Sequence, residues 1–235
     1  MIPAIKRNVK QMIFSVVKPP PSSFSQAGED AIIRFLFHEK KINSISYLDI
    51  GTNNPDYGNN SFLFYSTGSS GVCVEADPAL IPAIKEMRPG DKVMNFGVSV
   101  SNDTEADFYV FDCQAVNTFD KEEADKRIAN GSYKMTGIIK IPLVNINSLI
   151  KDNFEKYPDF LSLDIEGLDL AVLKTLDFDK YPLPVICAET CEYSDNHIRQ
   201  KDNSIAEFLL TKGYEIYADT YINTIFVNKK WFYSL

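Results

Sequence analysis

Tyr47-Leu48-Asp49-Ile50-Gly51-Thr52-Asn53-Asn54-Pro55 is a short apolar run that stops at a glycine and a polar turn. Such a run has the length of a buried parallel strand. The glycine falls where an open α/β sheet brings its backbone close to a ligand, beyond the strand's carboxyl end. Working outward, residues 71–76, 93–100, 160–165 and 185–189 are further apolar runs of similar length and β-branched content. Helical patterns at 26–40, 60–66, 79–87, 168–176 and 204–212 flank or separate them. This alternation predicts an α/β fold on a Rossmann-like, doubly wound, mostly parallel sheet. Near the end, 214–218 and 224–227 sit at hairpin spacing, so the C-terminal hairpin strand should be antiparallel.

The chain has 235 residues, 45% hydrophobic and 24% charged, which suits one large globular domain and excludes a mainly disordered chain. A net charge of −8 argues against duplex DNA or RNA as the principal ligand and favours a small cationic or neutral one. Cys73, Cys113, Cys187 and Cys191 form no C-x-x-C pair and read as reduced core residues.

Residues 1–18 differ from the rest: Lys6, Arg7, Lys10 and Lys18 occur without an acid, while Ile2, Ile5, Val9, Ile13 and Val16 recur at helical spacing. This segment reads as a helix packed on the domain or a partner chain, or as a peripheral membrane contact. No apolar run is long enough to span a bilayer, and Met12 to Val17 lead into Pro19-Pro20-Pro21 without a convincing signal-cleavage site. A cytoplasmic location is therefore expected. The organisation is a basic segment and Pro-rich linker at 1–23, then a single domain at 24–235 in which 105–144 is an insertion or sheet extension.

The chemistry gathers at strand ends. No G-x-G-x-x-G follows the first strand, so a pyrophosphate lacks its usual loop and a ligand without phosphate is favoured. Glu75 follows Gly51 by 24 residues and closes the second strand, where a carboxylate accepts from both hydroxyls of an adenosine ribose. Pro78 suits the first turn of the next helix.

Several motifs together carry a family resemblance: Ser25-Gln26-Ala27-Gly28-Glu29-Asp30, Tyr47 to Gly51, Asn60-Ser61 with Phe64-Tyr65 and Gly68, Val74 to Pro78, and Asp159 to Asp169. In this order the chain resembles the FkbM family of S-adenosylmethionine-dependent methyltransferases, from about residue 25 to 227. A Rossmann-like sheet closed by a reversed hairpin strand is also the class I methyltransferase architecture. The resemblance implies O-methylation of a hydroxyl on a glycan or related metabolite. It implies that Asp49, Gly51 and Thr52 line the methionine end of the cofactor, Glu75 the ribose and Asn95 the adenine. Gln26, Glu29 and Asp30 either cap a helix or help close the cofactor pocket. Thr52 stands where the family often has alanine, and Asn60-Ser61 lacks a frequent following threonine, changes expected to adjust the pocket without removing cofactor binding.

Asp164 and Glu166 are two apart at the fourth strand's end, so, if the strand persists that far, its periodicity places both carboxylates on one face toward the acceptor. A hydroxyl is a weak nucleophile, and a base or a metal must help remove its proton. Asp164, Glu166 and His197 are the catalytic candidates, with Asp164 also beside the cofactor. A hard-cation site from Asp164, Glu166 and Glu189 would suit Mg2+ or Mn2+. His38 reads as packed or solvated. The competing readings are a dinucleotide-dependent oxidoreductase and a catalytically silent cofactor-binding module.

Overall fold

The computed structural model describes residues 23–131, 133–165, 167–191 and 200–234. The basic segment 1–18, Glu166 and His197 lie outside the described residues. The strands in chain order are β1 (Ser46–Ile50), β2 (Ser70–Val74), β3 (Lys92–Met94), β4 (Gly97–Ser99), β5 (Glu105–Phe111), β6 (Met135–Asn145), β7 (Phe160–Leu163), β8 (Val185–Glu189), β9 (Tyr214–Asp219) and β10 (Asn223–Asn228). The helices are α1 (Glu29–Glu39), α2 (Phe62–Ser66), α3 (Ile81–Met87), α4 (Lys121–Asn130), α5 (Ile146–Asn153), α6 (Asp169–Thr175), α7 (Ser204–Thr211) and α8 (Lys229–Phe232).

A seven-stranded sheet runs in the order β3-β2-β1-β7-β8-β10-β9. The first five strands of that order pair in parallel, while β10 is antiparallel to both β8 and β9. This is the doubly wound α/β sheet, with its reversed hairpin strand, that the periodicity predicts. Strand period two divides the core. Leu48, Ile50, Val72, Leu161 and Leu163 pack with Ile146, Leu149 and Val172 of α5 and α6 on one face. On the other face, Tyr47, Phe160, Val185 and Ile225 pack with Ile33, Leu36 and Phe37 of α1.

The run 93–100 is not one strand. It breaks after Met94, so β3 stays in the main sheet while β4 pairs in parallel with β6 in a second sheet ordered β4-β6-β5. At the break the Asn95 amide donates to the carbonyls of Glu75 (2.9 Å) and Ala76 (2.8 Å), which ties the turn to the end of β2. Gly97 follows, and a Cβ there would come within 2.4 Å of the Phe119 ring and 2.7 Å of Leu143, so the second sheet seats against bare backbone. The stretch 105–144 accordingly supplies β5, α4 and most of β6. Helix α4 begins where the Asp120 carboxylate accepts from the Glu122 and Glu123 amides, and stops at the left-handed Gly131.

Cys73, Cys187 and Cys191 are buried, Cys113 is half-buried, and all four are free thiols. Among the described residues no helix is long and apolar enough to cross a membrane.

Candidate functional site

A cavity of about 520 Å³ opens beyond the carboxyl ends of β1, β2, β7 and β8, a size usual for a single small-molecule ligand. Its floor is the turn Ile50 to Asn53, and Glu75, Asp164 and Glu189 border it. Phe108, Asn117 and Phe119 bring the second sheet to its wall.

Gly51 has φ +82°, and a Cβ on it would stand 1.8 Å from the backbone oxygen of Asp164. The sequence reading gave this glycine to close ligand approach. The structure assigns it first to the convergence of two strand ends, since the Asp164 amide also donates to the Ile50 carbonyl at 3.1 Å. The convergence puts Asp164 beside the β1 turn.

Glu75 is 7% exposed and accepts from two backbone amides, Asn53 N–H and Asp77 N–H, each at 2.8 Å to a different oxygen. Burial raises its pKa, with the amides of Asp77 and Asn53 acting in the opposite direction. Each oxygen keeps a second lone pair. The carboxylate is thus fixed in place and still able to accept two hydroxyls.

Asp49 lines the cavity, but its carboxylate is held from beneath. It accepts from Ser61 Oγ (2.6 Å) and Asn59 Nδ2 (3.1 Å), and Arg88 Nη1 stands 3.5 Å away. Arg88 is wholly buried; it also donates to Asp91 through Nε and to Ser61 Oγ, both at 2.8 Å. Burial alone would lower its pKa, yet Cys73, Asp49, Tyr47 and Asp91 around it raise the value overall, so the guanidinium is charged. Thr52 is buried at the cavity, its hydroxyl turned back to the Asp49 carbonyl at 3.2 Å. Asp49 and Thr52 therefore build the turn beneath any ligand.

Asn95 is not among the described lining residues; its Nδ2 donates to the Glu75 and Ala76 carbonyls and so fixes the backbone beside Glu75. Gln26 is exposed and lines the cavity. Glu29 instead accepts from Thr220 Oγ1 (2.6 Å), Asn223 Nδ2 (3.0 Å) and the Ala27 amide (2.8 Å), tying α1 to the β9–β10 turn. Burial would raise its pKa, and these hydrogen bonds outweigh that and lower it. Asp30 accepts from Ser23, Ser25 and the Phe24 amide, and neither acid is among the lining residues.

Asp164 and Glu189 both line the cavity, two adjacent strands bringing them to one end. The third residue expected with them, Glu166, lies outside the described residues, as does His197. Among the described residues no group of three His, Cys, Asp or Glu side chains is placed to hold a metal ion. His38 is exposed on α1, its side chain 75% accessible.

Three residues of the site were not picked out by sequence reasoning. Asp169, at the start of α6, is 4% exposed and accepts from the amides of Ile165 (3.2 Å) and Gly167 (3.3 Å), closing the loop that carries Asp164. Burial and the neighbouring Asp164 charge push its pKa up to about 7. Asn117 donates to Asp77 Oδ2 at 3.0 Å and links the second sheet to the Glu75 turn. Arg88 is the third. A buried acid five residues after Asp164 had a signal in the quoted motif; Asn117 and Arg88 had none, because the partners that tie them to the site, Asp77 and Asp49, are distant in sequence.

The described lining residues include the carboxylates of Asp49, Glu75, Asp164 and Glu189 and no Lys, Arg or His. A ligand bearing positive charge fits this field, whereas a pyrophosphate would meet neither a basic side chain among them nor a glycine-rich loop.

The sequence pattern of the methyltransferase FkbM domain matches residues 49–216. No curated protein matches the chain. Among solved structures, a putative caffeoyl-CoA O-methyltransferase from Staphylococcus aureus is similar at 13% identity, with a TM-score of 0.45, over 96% of this chain and 92% of that one. The magnesium protoporphyrin IX methyltransferase of Synechocystis PCC 6803, solved with bound SAM, has 8% identity and a TM-score of 0.44, over 96% and 83%. A TehB-like SAM-dependent methyltransferase from Corynebacterium glutamicum has 12% identity and a TM-score of 0.42, over 97% and 100%.

Proposed function

Because this chain belongs to the FkbM methyltransferase family, and so is an S-adenosylmethionine-dependent methyltransferase, we propose that it methylates oxygen, at a hydroxyl of a glycan or a related small metabolite. The observation that carries this reading is the arrangement of carboxylates along the sheet edge. Glu75 follows β2, Asp164 follows β7, and β1 lies between them, so the two sit about 10 Å apart at the usual strand spacing. One anchors a ribose and the other reaches the reacting end of the same ligand.

When bound, S-adenosylmethionine supplies an electrophilic methyl group on a positively charged sulfur that departs as a neutral thioether. The chain's own residues do the rest. Glu75 accepts from the ribose hydroxyls through its two remaining lone pairs. Asp164, held in place by the Ile50 carbonyl and the loop closed by Asp169, accepts the proton of the acceptor hydroxyl as that oxygen bonds to the methyl carbon. The new O–C bond forms as the C–S bond breaks, and the bonding pair stays on sulfur. Alignment of oxygen, carbon and sulfur is the main demand, and a fixed cavity floor meets it. A chelation series tests the alternative of a divalent cation on Asp164, Glu166 and Glu189, and single variants test a proton-removing role for Glu166 or His197. The free thiols suit a reducing compartment, which supports a cytoplasmic location.

The test is incubation of the purified chain with S-adenosylmethionine and a panel of hydroxylated acceptors, read by mass spectrometry. Methyl ether formation with stoichiometric S-adenosylhomocysteine is the expected product pair. Methyl transfer to nitrogen or carbon alone would contradict the assignment to oxygen.

A further inference from the structure

Ten large hydrophobic side chains are conspicuously exposed among the described residues, and of these Tyr57 alone lines the cavity. Its residue is 82% exposed. The ring makes no aromatic contact and its hydroxyl no hydrogen bond with the described residues, yet the loop beneath it is firmly built. Asn54 Oδ1 accepts from the amides of Asp56 (3.1 Å) and Tyr57 (3.0 Å). On one side the Asn53 amide is held by Glu75, and on the other the Asn59 amide donates to the Phe24 carbonyl at 3.0 Å. Asn53 (φ +49°) and Gly58 (φ +64°) both take left-handed conformations at the bends. A loop with both ends pinned presents the ring at the cavity mouth, where its apolar face is open to a bound ligand.

The volume decides what covers it. A cavity of about 520 Å³ accommodates one small-molecule ligand, and Glu75 assigns that place to the methyl donor, so most of an acceptor must lie at the mouth. Beside Tyr57 the mouth carries the amides of Gln26 and Asn54, suited to hydroxyl groups, while Asp164 and Glu189 repel anions. Resting on the methyltransferase reading above, we infer that Tyr57 is the platform on which the acceptor's ring stacks, and that this acceptor is a hydroxylated ring without phosphate. An aromatic side chain with two rotatable angles offers a large contact face at small entropic cost. Sugar rings and phenols share the needed ring face, and the experiment separates them.

Ligand-observed NMR titration, with S-adenosylhomocysteine present, would use methyl α-D-mannopyranoside and methyl α-L-rhamnopyranoside as sugar probes, catechol as the phenol probe, and GDP-mannose as the anionic counterpart. At least one uncharged ring should bind the wild-type chain, and Tyr57→Ala should weaken it roughly 2- to 12-fold. Tyr57→Phe should restore binding, and GDP-mannose should bind no more tightly than the mannoside. Which probe loses more on Tyr57→Ala identifies the ring. Unchanged binding in Tyr57→Ala, tighter binding of GDP-mannose, or no binding by any ring probe overturns the inference. Calorimetry with S-adenosylhomocysteine keeps the two levels apart: equal affinity for wild type and Tyr57→Ala is expected. Failure of the wild-type chain to bind it would sink the reading of the cavity itself.

Discussion

Arg88 Nη1 stands 3.5 Å from Asp49 Oδ2, with the two side chains 0% and 3% exposed. A guanidinium so deep survives because Asp91 and Ser61 also take its N–H groups and because the rings of Tyr47 and Tyr65 lie about it, 5.4 and 5.5 Å from the guanidinium carbon. The same guanidinium holds the acid at the end of β1, so the cavity floor depends on a charge that no ligand touches.

Removing that charge should unfold the floor. Arg88→Met leaves Asp49 and Asp91 buried without their cation, at a cost of about 3–5 kcal/mol. Arg88→Lys should not rescue, because one ammonium cannot serve Asp49, Ser61 and Asp91 from a fork geometry. Urea unfolding reads both; a wild-type midpoint in either variant contradicts the role given to Arg88.

Gly51→Ala tests the convergence of β1 and β7. The added methyl would collide with a backbone oxygen and strain a left-handed residue, so stability should drop by at least ~2 kcal/mol. Turnover should fall as well, since the atom displaced belongs to Asp164. Gly137→Ala is the control: a Cβ there meets nothing within 4 Å, and its effect should stay within ~0.5 kcal/mol. Similar midpoints for the two variants would remove the structural argument for Gly51.

The buried acid Asp169 predicts a pH dependence. Its folded-state pKa, near 7, lies above the ordinary value of 3.8, so between these limits the folded chain holds a proton that the unfolded chain has lost. Stability from this group is therefore fully present below about pH 4 and declines as pH rises toward 7. Denaturant midpoints measured across pH 4.5–8 should fall more steeply in wild type than in Asp169→Asn. Parallel slopes would show that Asp169 titrates normally.

Asp164→Asn keeps the side chain's size and removes its charge. A general base contributes about 10²- to 10⁴-fold in rate, so kcat should drop by that order while S-adenosylhomocysteine affinity is retained. Normal turnover in this variant, with loss in Glu166→Gln or His197→Ala, would move proton removal to one of those residues.

The framework was legible where physics is local. Strand runs of four to six apolar residues and the hairpin spacing at 214–227 predicted the sheet, and the position of Glu75 after β2 predicted a cavity-lining carboxylate. Reading failed where an interaction crosses the chain. Residues 93–100 look like one strand, because nothing nearby shows that Asn95 will bond to carbonyls twenty residues earlier and hand Gly97 to another sheet. Helix α5 went unread although Ile146, Leu149 and Ile150 have helical spacing, since it directly follows a strand with no break between the two. Arg88 sits at the end of a helix like any surface cation, and only the fold brings Asp49 to it.

The central claim is that Glu75 binds the ribose of S-adenosylmethionine in the cavity beyond β1 and β2. Titration calorimetry of S-adenosylhomocysteine into wild-type and Glu75→Ala chains, with NAD as the competing ligand, tests it most directly. The account predicts saturable binding to wild type, affinity lower by about 10- to 100-fold in Glu75→Ala from the lost charged hydrogen bonds, and weaker binding of NAD. Equal affinity in the two chains, or tighter binding of NAD, would contradict it.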